Sequence, residues 1–511
     1  MNAVATISNA RCRIGRQLLM EIDDFSIEAG QHWCLYGGNG SGKSLLAGLL
    51  CGRRIESGSY VSYMDGFDPT RDIHIVSFEE QQRLWQRDNR LDISEYVDNA
   101  LDQGTIVSEL IQSSRAAGEQ RHDVDLMEAL LSELALTEYA HRGIRFLSSG
   151  QIRRALIARA LYAYRDSIPQ LIILDDPLES IDKLSCEKIQ NCIRRYLGEG
   201  NCSVQLCRRS QDIPDSASHF ALMERSGLGT VTERITISRQ CLMESLDQGS
   251  LQLNSKEIAD FLSIPVSASA HRTTDDDILI RLEHVSASYG DQQVLENINW
   301  TMTGADHVVI EGPNGCGKST LLSLIDGENH KAYGQSVTLF GRRRGSGETV
   351  WEIKSRFGVV SNELHNKYIK GWKVVDVVVS GFFDSVGLYD DSGSGESLLA
   401  CQWLAALGID RLRNCYYHEI SFGQQRLVLL ARAMVKSPCI LILDEPCVGL
   451  DDYHRSLILT TLDKIGRQTS TRLIYVSHVD GERPGCINQK LEFTADEAGG
   501  FSLQQTRLPA D

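Results

Sequence analysis

The chain has 511 residues, 42% apolar and 23% charged, a composition able to build two full hydrophobic cores, with a formal net charge of −16. That acidity disfavours general adhesion to nucleic acid or anionic lipid, and no apolar run reaches the roughly eighteen residues that a membrane-spanning helix needs. Met1–Thr6 lacks the basic start and apolar core of a signal peptide, and the fourteen cysteines, scattered from Cys12 to Cys486 without a C-x-x-C pair, read as reduced core residues of a cytosolic protein rather than metal ligands.

In chain order, the first segment that carries chemistry is Gly37, Gly38, Asn39, Gly40, Ser41, Gly42, Lys43 and Ser44, a G-x-x-x-x-G-K-[ST] loop. Apolar Trp33–Tyr36 precedes it and a helix-like run follows, which is the context such a loop requires. The glycines let the backbone curl until its N–H groups face phosphate oxygens; the lysine reaches the β- and γ-phosphates and the serine hydroxyl ligates Mg2+. The start of the following helix adds partial positive charge. Next come Ile73–Ser77, then Phe78 and Glu79, and then Leu147-Ser148-Ser149-Gly150-Gln151 opening an apolar helix pattern. The apolar run Leu171–Leu174 ends in Asp175-Asp176-Pro177 and reads as a fully buried parallel strand, with Asp175 at its tip placed to hold Mg2+. Ser203–Cys207 is a further strand-like run and ends at Arg208.

Residues 236–278 are polar and acidic, including Asp275-Asp276-Asp277, and read as a linker with one short helix around Lys256–Leu262. The same order then repeats. Gly312, Pro313, Asn314, Gly315, Cys316, Gly317, Lys318, Ser319 and Thr320 form the second phosphate loop after Val308–Ile310. Arg342-Arg343-Arg344, flanked by Gly341 and Gly345, reads as a solvated turn. Phe357–Ser361 leads to Asn362 and Glu363, and Ile420 is followed by Ser421, Phe422, Gly423 and Gln424. Ile440–Leu443 ends in Asp444-Glu445-Pro446, with Asp444 the second metal aspartate, and Leu473–Ser477 ends at His478. The repeat predicts two α/β domains, residues 1–235 and 279–505, each binding one nucleoside triphosphate.

An L-S-x-G-Q segment between a phosphate loop and an apolar strand ending D-E-P resembles the ATP-binding-cassette (ABC) ATPases, and the likeness covers nearly the whole chain twice. It implies P-loop NTPase domains in tandem, each a mainly parallel sheet with an antiparallel β subdomain and a helical subdomain carrying the signature (Ser148, Ser149, Gly150, Gln151; Ser421, Phe422, Gly423, Gln424). It also implies an intramolecular pseudo-dimer in which each signature completes the other half's ATP site. ATP and Mg2+ are the implied ligands, and Ser44, Asp175, Ser319 and Asp444 the metal residues. By the same resemblance Tyr289 stacks on adenine, Glu445 polarises the attacking water and His478 senses the γ-phosphate. The first half departs from this pattern: Ile14 takes the aromatic position, Asp176 that of the catalytic glutamate and Arg208 that of the histidine, which implies one fast and one slow site. Both halves lack the glutamine expected after the strand, and the spacing of Gln81 and Gln82 argues against a substitute.

The whole-chain pattern, including Ser77-Phe78-Glu79, the segment from Gly341 to Glu348 and Val360-Ser361-Asn362, resembles the twin cassettes encoded beside molybdate-uptake genes in enteric bacteria. This implies a partner permease and peripheral residence at the inner membrane, with coupling near Ser361–Lys370, where Leu364, Tyr368 and Trp372 supply anchors or, as the commoner fate of such residues, belong to the core. A cytosolic regulator and a translation or DNA-associated factor are the alternatives. Direct nucleic-acid binding is not expected, because the linker is acidic and lacks the long heptad run of the ribosome-acting class.

Overall fold

The computed structural model describes residues 3–14, 17–52, 60–90, 104–114, 123–163, 168–179, 183–197, 200–225, 232–237, 240, 242, 265, 274–289, 292–313, 315–327, 329–368, 371–387, 393–477, 479, 481–495 and 501–509. The chain divides into two compact units, Met1–Gln252 and Leu253–Asp511. The helix expected around Lys256–Leu262 lies outside the described residues. The flanking strands Thr232–Ile237 and Ile278–Tyr289 reach slightly into the segment read as linker.

In the first unit, β1 (Ala3–Ile14) and β2 (Gln17–Glu28) form a long antiparallel hairpin, and β4 (Tyr60–Tyr63) adds to its edge. The strands β3 (His32–Tyr36), β5 (Ile73–Val76), β6 (Leu171–Asp175), β7 (Cys202–Cys207) and β8 (His219–Arg225) lie parallel in the order β8-β3-β7-β6-β5. β9 (Thr232–Ile237) runs antiparallel to β8 and meets β2 at Met20 and Thr232, so that all nine strands form one sheet. Leu171–Leu174 are buried on both faces, as their unbroken apolar run requires of a central parallel strand. Burial of each such side chain contributes about 1.5–3 kcal/mol.

The second unit repeats the plan. β10 (Ile278–Tyr289), β11 (Gln292–Thr303), β13 (Ser336–Leu339) and β14 (Arg342–Arg343) make an antiparallel sheet. A separate sheet has the order β15-β16-β17-β12-β18-β19, from β12 (Val308–Glu311), β15 (Phe357–Val360), β16 (Ile440–Asp444), β17 (Arg472–Val476), β18 (Gln489–Ala495) and β19 (Phe501–Arg507). Only its β18–β19 pair is antiparallel. The helices Ser149–Tyr162 and Phe422–Met434 follow the signatures, and each sits in the core of its own helical layer.

Arg342–Arg344 is not a uniformly solvated turn. Arg342 and Arg343 are exposed, but Arg344 is buried, 3.2 Å from Glu348 Oε1 and with its guanidinium 4.9 Å from the Tyr333 ring centroid. Its charge is paired and stacked rather than hydrated, which is what burial of an arginine demands.

Candidate functional site

Both phosphate loops join a buried strand to a helix, Lys43–Leu50 or Lys318–Asp326. Gly42 and Gly317 precede these helices at φ 95° and 103°, in the left-handed region that a side chain would strain. A Cβ on Gly37 would lie 2.4 Å from Met223 O, and one on Gly312 2.7 Å from Phe493 Cβ, so each loop begins pressed against a neighbouring strand. Lys43 Nζ donates to Gly37 O at 2.5 Å and Gly38 O at 2.9 Å; Lys318 Nζ does the same to Gly312 O at 2.8 Å and Pro313 O at 2.9 Å. Asn39, Gly40, Ser41, Gly315 and Cys316 fill out the turns and Thr320 opens the second helix. Asn314 lies outside the described residues. This curled backbone, dense in N–H groups at a helix start, fits a triphosphate.

Beside each loop is a small cavity with matching residues. One, of about 140 Å³, is lined by Ser44, Asp175, Ser77 and Glu79; the other, of about 200 Å³, by Ser319, Asp444, Ser361 and Glu363. Ser44 Oγ donates to Asp175 Oδ2 at 3.3 Å. Hydroxyl and carboxylate oxygens of this kind suit a hard divalent cation such as Mg2+. Burial, then the neighbouring Glu445 carboxylate, pushes the Asp444 carboxyl up to about 6.

The residue after each strand-end aspartate has a strained backbone, with φ 46° at Asp176 and 50° at Glu445. Each is held by the next strand: Asp176 N–H donates to Leu206 O at 3.3 Å and Glu445 N–H to Val476 O at 3.2 Å. The two positions are thus backbone equivalents with different side chains. Ile14 and Tyr289 also correspond, each ending the first strand of its hairpin opposite Gln17 or Gln292. His478 lies outside the described residues, one position beyond Ser477, whose N–H donates to Ile310 O.

Each signature closes its helix with a capping box. Ser148 Oγ accepts from Gln151 N–H while Gln151 Oε1 accepts from Ser148 N–H; Ser421 and Gln424 repeat the pair. The box engages the cap and third-position donors, so the outward N–H groups of the first turn are those of Ser149 and Gly150, and of Phe422 and Gly423.

The sequence shows arginines after both signatures but assigns no role to those five residues beyond each cap. Arg153 Nη1 donates to Asp176 O at 2.6 Å and lies 3.5 Å from Glu179 Oε2. Its counterpart Arg426 instead donates to Asn362 Oδ1 and lies over the Phe422 ring. The recurrence of arginine at one offset from both signatures was the available signal. Arg208 ion-pairs with Asp176 through Nε and with Glu179 Oε2 at 3.3 Å. Burial raises the Asp176 carboxyl against the opposing pull of Arg208; burial also works against the Arg208 charge, but Glu179 and Asp176 outweigh it and raise that group.

Of the coupling anchors expected near 361–370, one turns fully inward and two are half-buried. Tyr368 is fully buried, with its hydroxyl 2.8 Å from Arg432 Nε and 2.7 Å from Ser380 Oγ, and Leu364 and Trp372 pack against the same core. A phenol with all its polar capacity met inside the fold has no reason to face solvent. Where the glutamine is absent, Ser77 and Ser361 cap helices of 13 and 6 residues, accepting from Glu80 N–H at 3.1 Å and Leu364 N–H at 3.2 Å. Gln81 is buried and does not line the metal-side cavity, in agreement with its spacing.

The ABC transporter family profile matches residues 20–179 and 295–448. The chain belongs to the ABC ATPase family. It is a twin-cassette, ATP-binding member. It is 35% identical over 492 residues to the ABC transporter ATP-binding protein ModF of Escherichia coli K12, covering 95% of both chains. An uncharacterised ABC transporter ATP-binding protein of Schizosaccharomyces pombe is 25% identical over 480 residues, covering 91% of this chain and 93% of its own. Among solved structures, an archaeal ribosome recycling factor bound to stalk protein aP1 matches 97% of this chain and 89% of its own, with TM-score 0.58 and 16% identity. The RNase-L inhibitor matches 97% and 90%, with TM-score 0.59 and 17% identity. These last two similarities establish a shared fold. Among the described residues no helix is long and apolar enough to cross a membrane, and no cluster of three or more metal-binding His, Cys, Asp or Glu is present.

Proposed function

We propose that this twin cassette binds two ATP between head-to-tail halves and hydrolyses ATP, Mg2+-dependently, mainly at the site built on Lys318, Ser319, Asp444 and Glu445, as the ATP-binding component or accessory of a molybdate-type transport system. The observation that carries the catalytic part is Glu445, held in left-handed backbone one residue past the metal aspartate. Lys318 leaves its loop carbonyls for the β- and γ-phosphates. Ser319 and Asp444, and in the first half Ser44 and Asp175, would hold Mg2+, which when bound neutralises charge on the bridging oxygens. Glu445 orients the attacking water and takes its proton, and His478 contacts the γ-phosphate. Tyr289 stacks on adenine. The free first-turn N–H groups at Gly150 and Gly423 close on the γ-phosphate of the opposite half.

The whole-length likeness to ModF supports the transport reading. A cytosolic regulator or translation or DNA-associated factor is the second reading. The burial of Tyr368 favours it, since it takes away one of the three anchors expected for a permease in the second half.

Phosphate release by the purified chain with and without Mg2+ tests the enzyme. A pull-down in the ATP-trapped Glu445→Gln form, with cell fractionation in strains having and lacking candidate permease genes, tests the partner. Co-purification of a permease and permease-dependent membrane residence support the transport reading. Ribosomes on the beads, or a cytosolic protein in every strain, support the other.

A further inference from the structure

The two halves share backbone geometry at Asp176 and Glu445, so slow turnover in the first half needs a side-chain cause. A shortened carboxylate is one such cause. The first unit shows another. Arg208 sits one residue past Cys207, whose carbonyl accepts from the N–H of the first loop glycine, Gly37, at 3.2 Å. From there its guanidinium forks across two carboxylates, Asp176 through Nε and Glu179 at 3.3 Å. Arg153, from the signature helix, closes the far side on Asp176 O at 2.6 Å and on Glu179 O at 3.4 Å. Asp176 is 7% exposed and Arg153 4% exposed, so these pairs are shielded from solvent. In the second unit Val448 stands where Glu179 does, and Arg426 reaches Asn362.

We propose that Arg208 is a latch on Asp176, and that this contact, rather than the missing methylene, withholds hydrolysis in the first half. The proposal rests on the reading that the halves are unequal. In hydrolysis the water oxygen bonds to the γ-phosphorus, the P–O bond to the β-phosphate breaks, and a water proton passes to the carboxylate. A carboxylate oxygen engaged by this half-buried guanidinium is not available to orient that water, because turning toward it breaks a charge-assisted pair. Asp176 is therefore held away from the water while the loop remains able to bind nucleotide. Arg208 is a positioning residue acting through Asp176.

The test uses the full chain in a Glu445→Gln background, where residual turnover reports the first half. Arg208→His and Arg208→Gln should each raise that turnover about tenfold in kcat, with the apparent affinity for ATP changed less than about twofold. Asp176→Glu alone should raise it less than either neutral Arg208 variant, and Asp176→Glu with Arg208→His should exceed either single change. Arg208→Lys, which keeps the charge and loses the fork, should lie between. Binding of a fluorescent ATP analogue and thermal unfolding establish that each variant is folded; Arg208→Gln stands in if the histidine variant is not. Unchanged turnover in both neutral variants, or full recovery from Asp176→Glu alone, overturns the latch. Failure of the unequal-halves reading is separately visible, because Glu445→Gln would then leave most of the wild-type turnover intact.

Discussion

The imidazole of His454 lies flat against the signature residue Gly423, so close that a Cβ there would fall 2.4 Å from two ring carbons. The ring is fixed from its other side, with Nδ1 2.7 Å from Asp451 Oδ1, and Asp451 caps the helix Asp452–Gln468. The signature glycine is therefore demanded by packing within its own unit, beyond any contact to nucleotide. Gly423→Ala should lower stability by on the order of 1–3 kcal/mol through overpacking. Gly423→Ala with His454→Ala should recover more than the single losses predict, a coupling that urea denaturation of the four members of the cycle measures directly.

Lys318→Ala should nearly abolish phosphate release, because the loop loses its one mobile positive charge for the β- and γ-phosphates. Lys43→Ala should reduce nucleotide binding at the first half with a much smaller loss of turnover. Retention of most activity by purified Lys318→Ala would sink the assignment of the second half as the main site.

Glu445→Gln should arrest hydrolysis and trap a compact ATP-bound form, since an amide neither orients the water nor accepts its proton. Asp176→Asn should cost far less, its carboxylate being already engaged by Arg208. Equal losses in a steady-state assay would mean that the halves share the work.

A pH prediction follows from His307 in the second unit. Burial, then the Arg472 charge, lowers this imidazole to about 4, and its Nδ1 accepts from Leu473 N–H at 3.2 Å. The unfolded chain then binds the proton between about pH 6.5 and 4 while the folded chain does not, so stability falls as pH drops through that window. The loss from this group is on the order of 2–3 kcal/mol by pH 4. Urea melts at pH 7 and pH 5 should show the drop in wild type and a smaller one in His307→Gln.

The repeat, the loops, the strand-end carboxylates and the signatures were legible because each is a local pattern whose geometry its own residues dictate. What stayed hidden depends on segments far apart in the chain. Arg426 reaches Asn362 across 64 residues, and Arg208 reaches Asp176 across 32, so no window of sequence contains either pair. The sequence leaves Tyr368 open between anchor and core because the helix Asn362–Lys367 before it has only six residues, too few for a periodicity to declare which face is buried. Its inward turn is set by Arg432, Ser380 and the Ser385 carbonyl.

The bridge between Met20 and Thr232 gives the first unit a single hydrogen-bonded lattice running from the hairpin to the parallel strands, whereas the second unit, among its described residues, has two lattices joined by side chains such as Trp300, whose indole N–H meets Gln489 Oε1 at 3.0 Å. Sliding the hairpin past the phosphate loop therefore breaks backbone bonds in one half and only repacks side chains in the other. The consequence is mechanical and internal to each unit: displacing the hairpin against the parallel strands costs a backbone pairing in the first and side-chain contacts in the second.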